Sequence, residues 1–359
     1  MRIVFLVHVM SGRGGTESAI LGLMRGLESI GDECRVCLLG GASSDPRWLD
    51  TTPHIIFGSP RQSRLRRFWE YSFGLAKELR SFRPDVIVAL DGPRLLIGKV
   101  ALALSGHRAQ LWSWIHFPVE RIAMTQMLKF ADGHLAISEG VAGQLMPFLG
   151  KRSKGGVVTI YNPIETDIPV VPRPAPGGPA VFVHIGRLEW DRQKRVNDLL
   201  AAAALLKDKF RIIIIGDGDE RPRLQQYSRE LGIDDRIEWL GWKTEPWTAV
   251  KEASALVLTS SFEGFGIVLA EALARGVPCI SSDCKVGPDE IIEEGTSGWF
   301  YPVGNVEALA QRMQQIIDGP GILPGPEALR ASARKFSVQA VASRASAAFL
   351  AVKGRVADN

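Results

Sequence analysis

The chain alternates short, unbroken apolar runs with helix-length amphipathic segments, and it does so twice. In the first half the runs are "RIVFLVH" (2–8), "ECRVCLL" (33–39), "DVIVAL" (85–90), "QLWSWIH" (110–116) and "GHLAIS" (133–138). In the second they are "AVFVHIG" (180–186), "FRIIIIG" (210–216), "IEWLG" (237–241), "SALVLTS" (254–260) and "VPCISSD" (277–283). A strand that is apolar throughout has both faces buried, and helices between successive strands make the sheet parallel and cover both sides of it. The pattern predicts an α/β protein of two Rossmann-like, doubly wound domains facing across a cleft. Between the halves, "IPVVPRPAPGGPA" (168–180) carries five prolines and two adjacent glycines. That composition sustains neither a helix nor a central strand and reads as an interdomain linker. The expected domains are 1–167 and 180–335, joined by 168–179.

Bulk properties agree with this and exclude several classes. At 359 residues the chain exceeds one ordinary core and fits two domains of roughly 150–180 residues. Apolar and charged fractions of 46% and 23% are those of a folded globular protein. No apolar run approaches the ~18 residues that span a bilayer. Met1-Arg2 and "IVFLVHVM" mimic a short signal peptide, but a glycine loop follows where a cleavage site would stand. The segment is read as a first strand, without export, and the location as cytoplasmic. A net charge of +4 gives no case for a nucleic-acid partner. Cys34-x2-Cys37 sits in a strand pattern with no histidine or second pair at zinc spacing, so the four cysteines are read as structural ones in a reducing compartment. The charge distribution is less even. "RQSRLRRFWEY" (61–71) has four arginines in seven residues, followed by Phe68, Trp69 and Tyr71. It is either a solvated helix face or a surface that rests on anionic lipid headgroups, on the cytoplasmic face of an inner membrane.

In doubly wound sheets ligands bind beyond the carboxyl ends of the strands, so chemistry-bearing residues are sought there. "MSGRGGTES" (10–18) follows the first strand and opens a helix. Its glycines let the backbone approach an anion at the helix start, or they make a tight turn with no ligand. As a dinucleotide fingerprint it fails: Glu17 stands at the third glycine position, and no acidic residue closes the second strand to hold a ribose. In "IGRLEWDRQKRVNDLL" (185–200), Arg187 and Lys194 are two cations at loop ends, suited to a diphosphate or simply to the surface. Asp217-Gly218-Asp219 has the form of a metal-holding D-x-D, but it directly follows a strand, where Gly216 and Gly218 suit a tight turn near a nucleotide, and no metal is assigned. "SSFEGFGIVLAEALARGVPCISSD" (260–283) places Glu263 beside Gly264 and Gly266, then opens an apolar helix that carries Glu271. The amides of Phe265, Gly266 and Ile267 can face a phosphate at the helix start, while the two carboxylates accept hydroxyls at either end of one ligand. Isolated, either glutamate is an ordinary surface residue; within so apolar a stretch, both need an explanation.

The Glu263-x7-Glu271 pattern in this setting resembles retaining glycosyltransferases of family four, which have the GT-B fold. The likeness covers most of the chain, through "GG" (14–15), "ISEGV" (137–141), "IYNPIE" (160–165), "GRL…K" (186–194), "GDG" (216–218), Gly287-Pro288 with Asp289-Glu290, and "PVGNVEALA" (302–310). "FSVQAVASRASAAFL" (336–350) resembles the helix that crosses back to the first domain in this fold, giving a closing segment at 336–359. "WSWIHFPVE" (112–120), "QKRVNDLL" (193–200) and "LGWKTEPW" (240–247) look most like lipopolysaccharide core 1,6-galactosyltransferases.

The resemblance implies a UDP-sugar donor, a lipopolysaccharide core or other lipid-linked glycan acceptor, and no cofactor or metal. It implies that Gly14 and Gly15 approach the distal phosphate and that Arg187 and Lys194 hold the diphosphate. Glu263 and the backbone from Gly264 to Ile267 hold the donor sugar, and Glu271 binds the ribose. Gly216 lies near the nucleotide, and Trp242 and Lys243 edge the base. His116 reaches the far side of the sugar, unless it is a core histidine. Hexose transfer with retention is the implied chemistry, with Glu263 orienting rather than acting as one of a glycosidase's two carboxylates. Glucose or N-acetylglucosamine transfer to another glycan is an alternative within the family. An NAD-dependent oxidoreductase is the rival outside it, and a solute-binding protein would need export.

Overall fold

The computed structural model describes residues 1–10, 12, 14–40, 46–50, 52–58, 63–207, 209–319 and 323–357. They form two compact units, Met1–Pro163 with Phe336–Asn359, and Ile164–Lys335. The first contains β1 (Arg2–His8), α1 (Gly15–Ser29), β2 (Glu33–Leu39), β3 (His54–Phe57), α2 (Arg64–Phe82), β4 (Val86–Ala89), α3 (Gly92–Ser105), β5 (Gln110–Ile115), β6 (Gly133–Ala136), α4 (Glu139–Leu145) and β7 (Val157–Thr159). Its strands are parallel in the order β3-β2-β1-β4-β5-β6-β7. The second contains β8 (Ala180–Ile185), α5 (Val196–Ala204), β9 (Phe210–Ile215), α6 (Arg221–Glu230), β10 (Ile237–Gly241), β11 (Ala255–Leu258), α7 (Ile267–Ala274), β12 (Cys279–Ser282), α8 (Pro288–Ile291), β13 (Gly298–Tyr301), α9 (Val306–Asp318) and α10 (Pro326–Ala333). Its strands are parallel in the order β10-β9-β8-β11-β12-β13. Both sheets are doubly wound, as the repeated apolar runs require.

The central strands are buried on both faces. Ile3 to Val7 of β1 and Phe182 of β8 are inaccessible to solvent, and burying a side chain of phenylalanine size contributes about 2–3 kcal/mol. The last helix, α11 (Val338–Ala357), belongs to the first unit and packs on α1. A Cβ on Gly26 would stand 2.7 Å from the Ala342 methyl, so small residues set how closely these helices approach. Arg344 donates to the Ile160 carbonyl at 2.7 Å, and the Phe349 ring meets Trp112 edge-on.

Two expectations are corrected. The boundary between units lies at Pro163/Ile164, ahead of the linker expected at 168–179. That stretch is tied into the second unit: Val171 donates to the Arg275 carbonyl at 2.9 Å, and the Pro172 carbonyl receives the Ala253 amide at 2.9 Å. Its prolines exclude it from helix and sheet without freeing it from the core. In the basic segment, Arg61 lies outside the described residues, and Tyr71 is turned inward. The buried stripe of α2 runs through Tyr71, Leu75, Leu79 and Phe82, whereas Leu65, Trp69 and Phe73 are 70%, 44% and 58% exposed. The four cysteines are buried and unpaired, and burial pushes the Cys284 thiol up to about 12.

Candidate functional site

The order of the second sheet reverses between β8 and β11, the point at which such sheets open a crevice for ligands. The loops leaving those two strands, 186–195 and 259–266, are bonded to one another. Ser261 donates its amide to the Gln193 carbonyl at 2.8 Å, the Thr259 hydroxyl donates to the Lys194 carbonyl at 2.6 Å, and the Gln193 side-chain amide donates to the Phe262 carbonyl at 3.2 Å. Glu189 shapes the first loop from within, since its Oε2 accepts the amides of both Gln193 and Lys194 at 3.1 Å. The chain then passes through a left-handed Arg195 (φ 46°) into α5.

This stitching brings Lys194 and Glu263 together. Lys194 Nζ lies 2.7 Å from Glu263 Oε1, and the Ser260 hydroxyl donates to the same oxygen at 2.6 Å. Their side chains are 18% and 8% exposed. The pair uses one of the ammonium's three donors. Arg187 is 69% exposed and meets Glu189 Oε1, on a side chain only 13% exposed, at 3.0 Å; the guanidinium keeps most of its contact with water, so an anion can draw it away. Next to Glu263, α7 opens at Gly266 in the left-handed region (φ 88°) and has no side-chain cap. Its first amides thus present the positive end of the helix. Gly264 and Gly266 are buried and Ile267 half-buried, while the Phe265 ring is in the interior at 1% exposure. Phe265 can therefore meet a ligand through its backbone and not its ring.

Further along α7, Glu271 Oε2 accepts the Trp247 indole N–H at 3.2 Å. Arg275 donates to the Glu271 carbonyl at 3.0 Å and lies 5.0 Å from the Trp247 ring centre. Desolvation outweighs Arg275 and Trp247 and raises the Glu271 carboxyl above its ordinary range. Gly216 serves a close backbone approach: with φ at 142°, a Cβ there would stand 1.8 Å from the Gly186 carbonyl oxygen. Gly218 is under the same constraint, 2.3 Å from the Leu188 carbonyl. The two loops after β8 and β9 thus touch through glycine. Trp242, half-buried, and Lys243, exposed, follow β10 at the edge of this sheet. Asp217 Oδ1 accepts the Gly218 amide at 2.9 Å and lies 3.8 Å from Arg221. Among the described residues no group of three or more His, Cys, Asp or Glu side chains could hold a metal ion.

In the first unit, Gly14 precedes α1 in extended conformation and Gly15 is its first residue. Glu17 is 5% exposed and folds back over this loop: its Oε1 accepts the Gly12 amide at 2.8 Å, and Oε2 fills the space where a Gly14 Cβ would be. The residue that breaks the dinucleotide fingerprint therefore supplies the loop with an internal acceptor. Ser11 and Arg13 lie outside the described residues. His116 follows β5, is 7% exposed, and lies 4.3 Å from the Trp114 ring centre. Its Nε2 has no partner among the described residues, and burial lowers its pKa to about 3, so the ring is neutral.

Glu189, Gln193, Ser260 and Trp247 were not singled out by sequence reasoning. Glu189 carried a faint signal as the lone carboxylate between Arg187 and Asp191 in a strand-to-helix loop. The others have none, because polar residues beside a glycine loop are common.

The glycosyltransferase family 4 and glycosyl transferases group 1 families match residues 13–168 and 170–336. Lipopolysaccharide 1,6-galactosyltransferase of Salmonella typhimurium is 34% identical over 338 residues, 90% of this chain and 93% of that protein. The enzyme of the same name from Escherichia coli is 35% identical over 89% of this chain and 90% of its own length. Among solved structures, the apo lipopolysaccharide outer core galactosyltransferase WaaB superposes with a TM-score of 0.84 at 30% identity, covering 98% of this chain and 99% of that one. Anabaena HepE, solved with UDP, shares the fold at a TM-score of 0.80 and 20% identity, over 96% of this chain and 98% of its own. Matched along both halves and by full-length relatives above 30% identity, the chain belongs to the group 1 glycosyl transferases, with a family 4 amino-terminal half and the GT-B fold.

Proposed function

We propose that the protein transfers galactose from UDP-galactose to a lipopolysaccharide core acceptor, with retention at the anomeric carbon. The observation that carries this reading is the Lys194–Glu263–Ser260 array at the switch point of the second sheet, beside an uncapped helix start, in a chain about one-third identical to two lipopolysaccharide 1,6-galactosyltransferases. The bond between the sugar's anomeric carbon and the diphosphate oxygen breaks, and its electron pair leaves with UDP. Lys194, Arg187 and the amides of Gly264 to Ile267 meet the charge that develops on the diphosphate, cations of the chain standing where other transferases use a metal. The acceptor hydroxyl attacks from the face the diphosphate leaves and passes its proton to that phosphate oxygen. Glu263 orients the sugar and balances Lys194; Glu271 takes the ribose. Gly216 lies by the nucleotide, and Trp242 and Lys243 border the base. Gly14, Gly15 and His116 of the first unit keep the roles the resemblance gives them, His116 as a neutral hydrogen-bonding ring.

The test is UDP release over a panel of nucleotide sugars with truncated lipopolysaccharide as acceptor. Turnover of UDP-galactose is expected; preference for UDP-glucose or UDP-N-acetylglucosamine would move the enzyme to the alternative sugars, and no UDP release with any of them would overturn the reading.

We further propose that α2 rests on the cytoplasmic face of an inner membrane. Among the described residues no helix is long and apolar enough to cross a bilayer. Leu65, Trp69 and Phe73 recur at every fourth position, Trp69 and Phe73 stack at 5.8 Å, and Arg64 and Arg66 beside them are exposed. An apolar stripe flanked by cations complements anionic headgroups.

A further inference from the structure

A second cluster of cations lies in the first unit, far along the sheet from His116. A cavity of about 280 Å³ is lined by Lys99 of α3, by Lys129 and Phe130 at the end of the 3-10 helix Thr125–Phe130, and by Gly150, Lys151 and Arg152. Phe130 lies just before β6, and Asp132 bonds in both directions with Leu111 near the start of β5. The cavity thus borders the amino ends of β5 and β6, whereas His116 follows the carboxyl end of β5.

The cavity is built rather than incidental. Lys99 Nζ sits 3.3 Å from the centre of the Phe130 ring and Lys129 Nζ 5.3 Å from it, so one aromatic ring attracts two ammonium groups. Residues 150–152 press against the 3-10 helix, because a Cβ on Gly150 would stand 2.2 Å from the Lys129 carbonyl oxygen. The Ser153 hydroxyl pins that turn, accepting the Gly150 amide at 3.2 Å and donating to the Ala131 carbonyl at 3.1 Å. Among the described residues no carboxylate lines the cavity and none of its four cations is in an ion pair. Burial, then Arg152 and Lys129, lower the Lys99 pKa, which marks a cation facing like charges. The Asp132 carboxylate acts on Arg152 but leaves the four cations in excess, and like charges in excess repel unless an anion joins them; the volume exceeds a bare phosphate's.

We propose that this cavity binds the phosphoryl group of a phosphomonoester, with Lys99, Lys129 and Arg152 around the phosphate. Such a group reaches the site either on a soluble sugar phosphate or as a lipid headgroup, and the experiment separates the two. Titration calorimetry with glycerol 3-phosphate and flotation with phosphatidylcholine vesicles, with and without phosphatidic acid, are run on Lys194→Ala protein, which disables the proposed diphosphate site. The variant Lys99→Gln/Arg152→Gln in that background is compared with the charge-matched Lys207→Gln/Lys251→Gln, and equal thermal midpoints certify that both fold. The expected result is an affinity at least tenfold weaker in the first variant only. A loss with glycerol 3-phosphate assigns a soluble ligand, and a loss confined to phosphatidic acid vesicles assigns a headgroup. Equal affinities of the two variants in both arms overturn the proposal.

Discussion

The Lys194–Glu263 pair supports a quantitative test. Unit charges 2.7 Å apart attract by about 6 kcal/mol at an effective dielectric of ~20, but desolvation consumes most of that. Breaking a fully buried pair from one side costs about 3–5 kcal/mol, and losing an exposed one costs about 0–1. With side chains 18% and 8% exposed, Lys194→Ala should cost about 2–3 kcal/mol of stability, because it leaves the Glu263 carboxylate with little water and the Ser260 hydroxyl. Glu263→Gln keeps an acceptor for Ser260 and orphans the better-solvated ammonium, so about 1–2 kcal/mol is expected. The double variant orphans neither charge and should be more stable than the sum of its parts by at least ~1 kcal/mol. Urea denaturation of the four proteins measures this coupling directly. Additivity within ~0.5 kcal/mol would show that the two groups do not interact in solution. In the same proteins UDP release should fall at least about tenfold for each single variant, which is ~1.4 kcal/mol of transition-state stabilisation. Wild-type turnover in both would remove their proposed roles, whatever the stability shows.

Glu271→Gln should separate stability from donor binding. Burial holds this carboxyl above the ordinary glutamate range, so the folded state keeps the proton that the unfolded chain has lost, and stability falls as pH rises through that window. The variant's stability relative to wild type should therefore improve from about pH 4 to about pH 7 while KM for the UDP-sugar rises; a constant difference with unchanged KM counts against both points. His116, His134 and His184 are buried and neutral, with pKa values lowered by desolvation to about 3, 4 and 4. The unfolded chain binds those protons first, so stability is full above about pH 6.5 and declines on acidification, by up to about 2 kcal/mol per histidine at about pH 5. Urea midpoints equal at about pH 7 and pH 5 would refute this. Trp69→Ser/Phe73→Ser should abolish flotation with phosphatidylglycerol vesicles with little change in the thermal midpoint, since the two rings are already 44% and 58% exposed; unchanged flotation means α2 is an ordinary solvated face.

The two doubly wound sheets were legible because burial on both faces is written locally, as unbroken runs such as Ile212–Ile215. Three strands escaped that signal. His54–Phe57 and Val157–Thr159 are half-exposed edges of the first sheet, and Gly298–Tyr301, an edge of the second, opens with glycine. An edge strand needs no continuous apolar run, so the chain does not announce it. Arginine density flagged α2, but the inward turn of Tyr71 depended on the core it meets. Prolines marked 168–179 as irregular, yet whether an irregular stretch is free or anchored depends on distant partners such as the Arg275 carbonyl. The same holds at the candidate site. Arg187, Lys194, Glu263 and Glu271 stand out along the sequence because charge beside glycine or within apolar surroundings is locally conspicuous. That Lys194 meets Glu263, across 69 positions, follows only from two parallel strands ending side by side. Periodicity along one chain determines which faces are buried; the tertiary structure alone decides which charges share the end of a sheet.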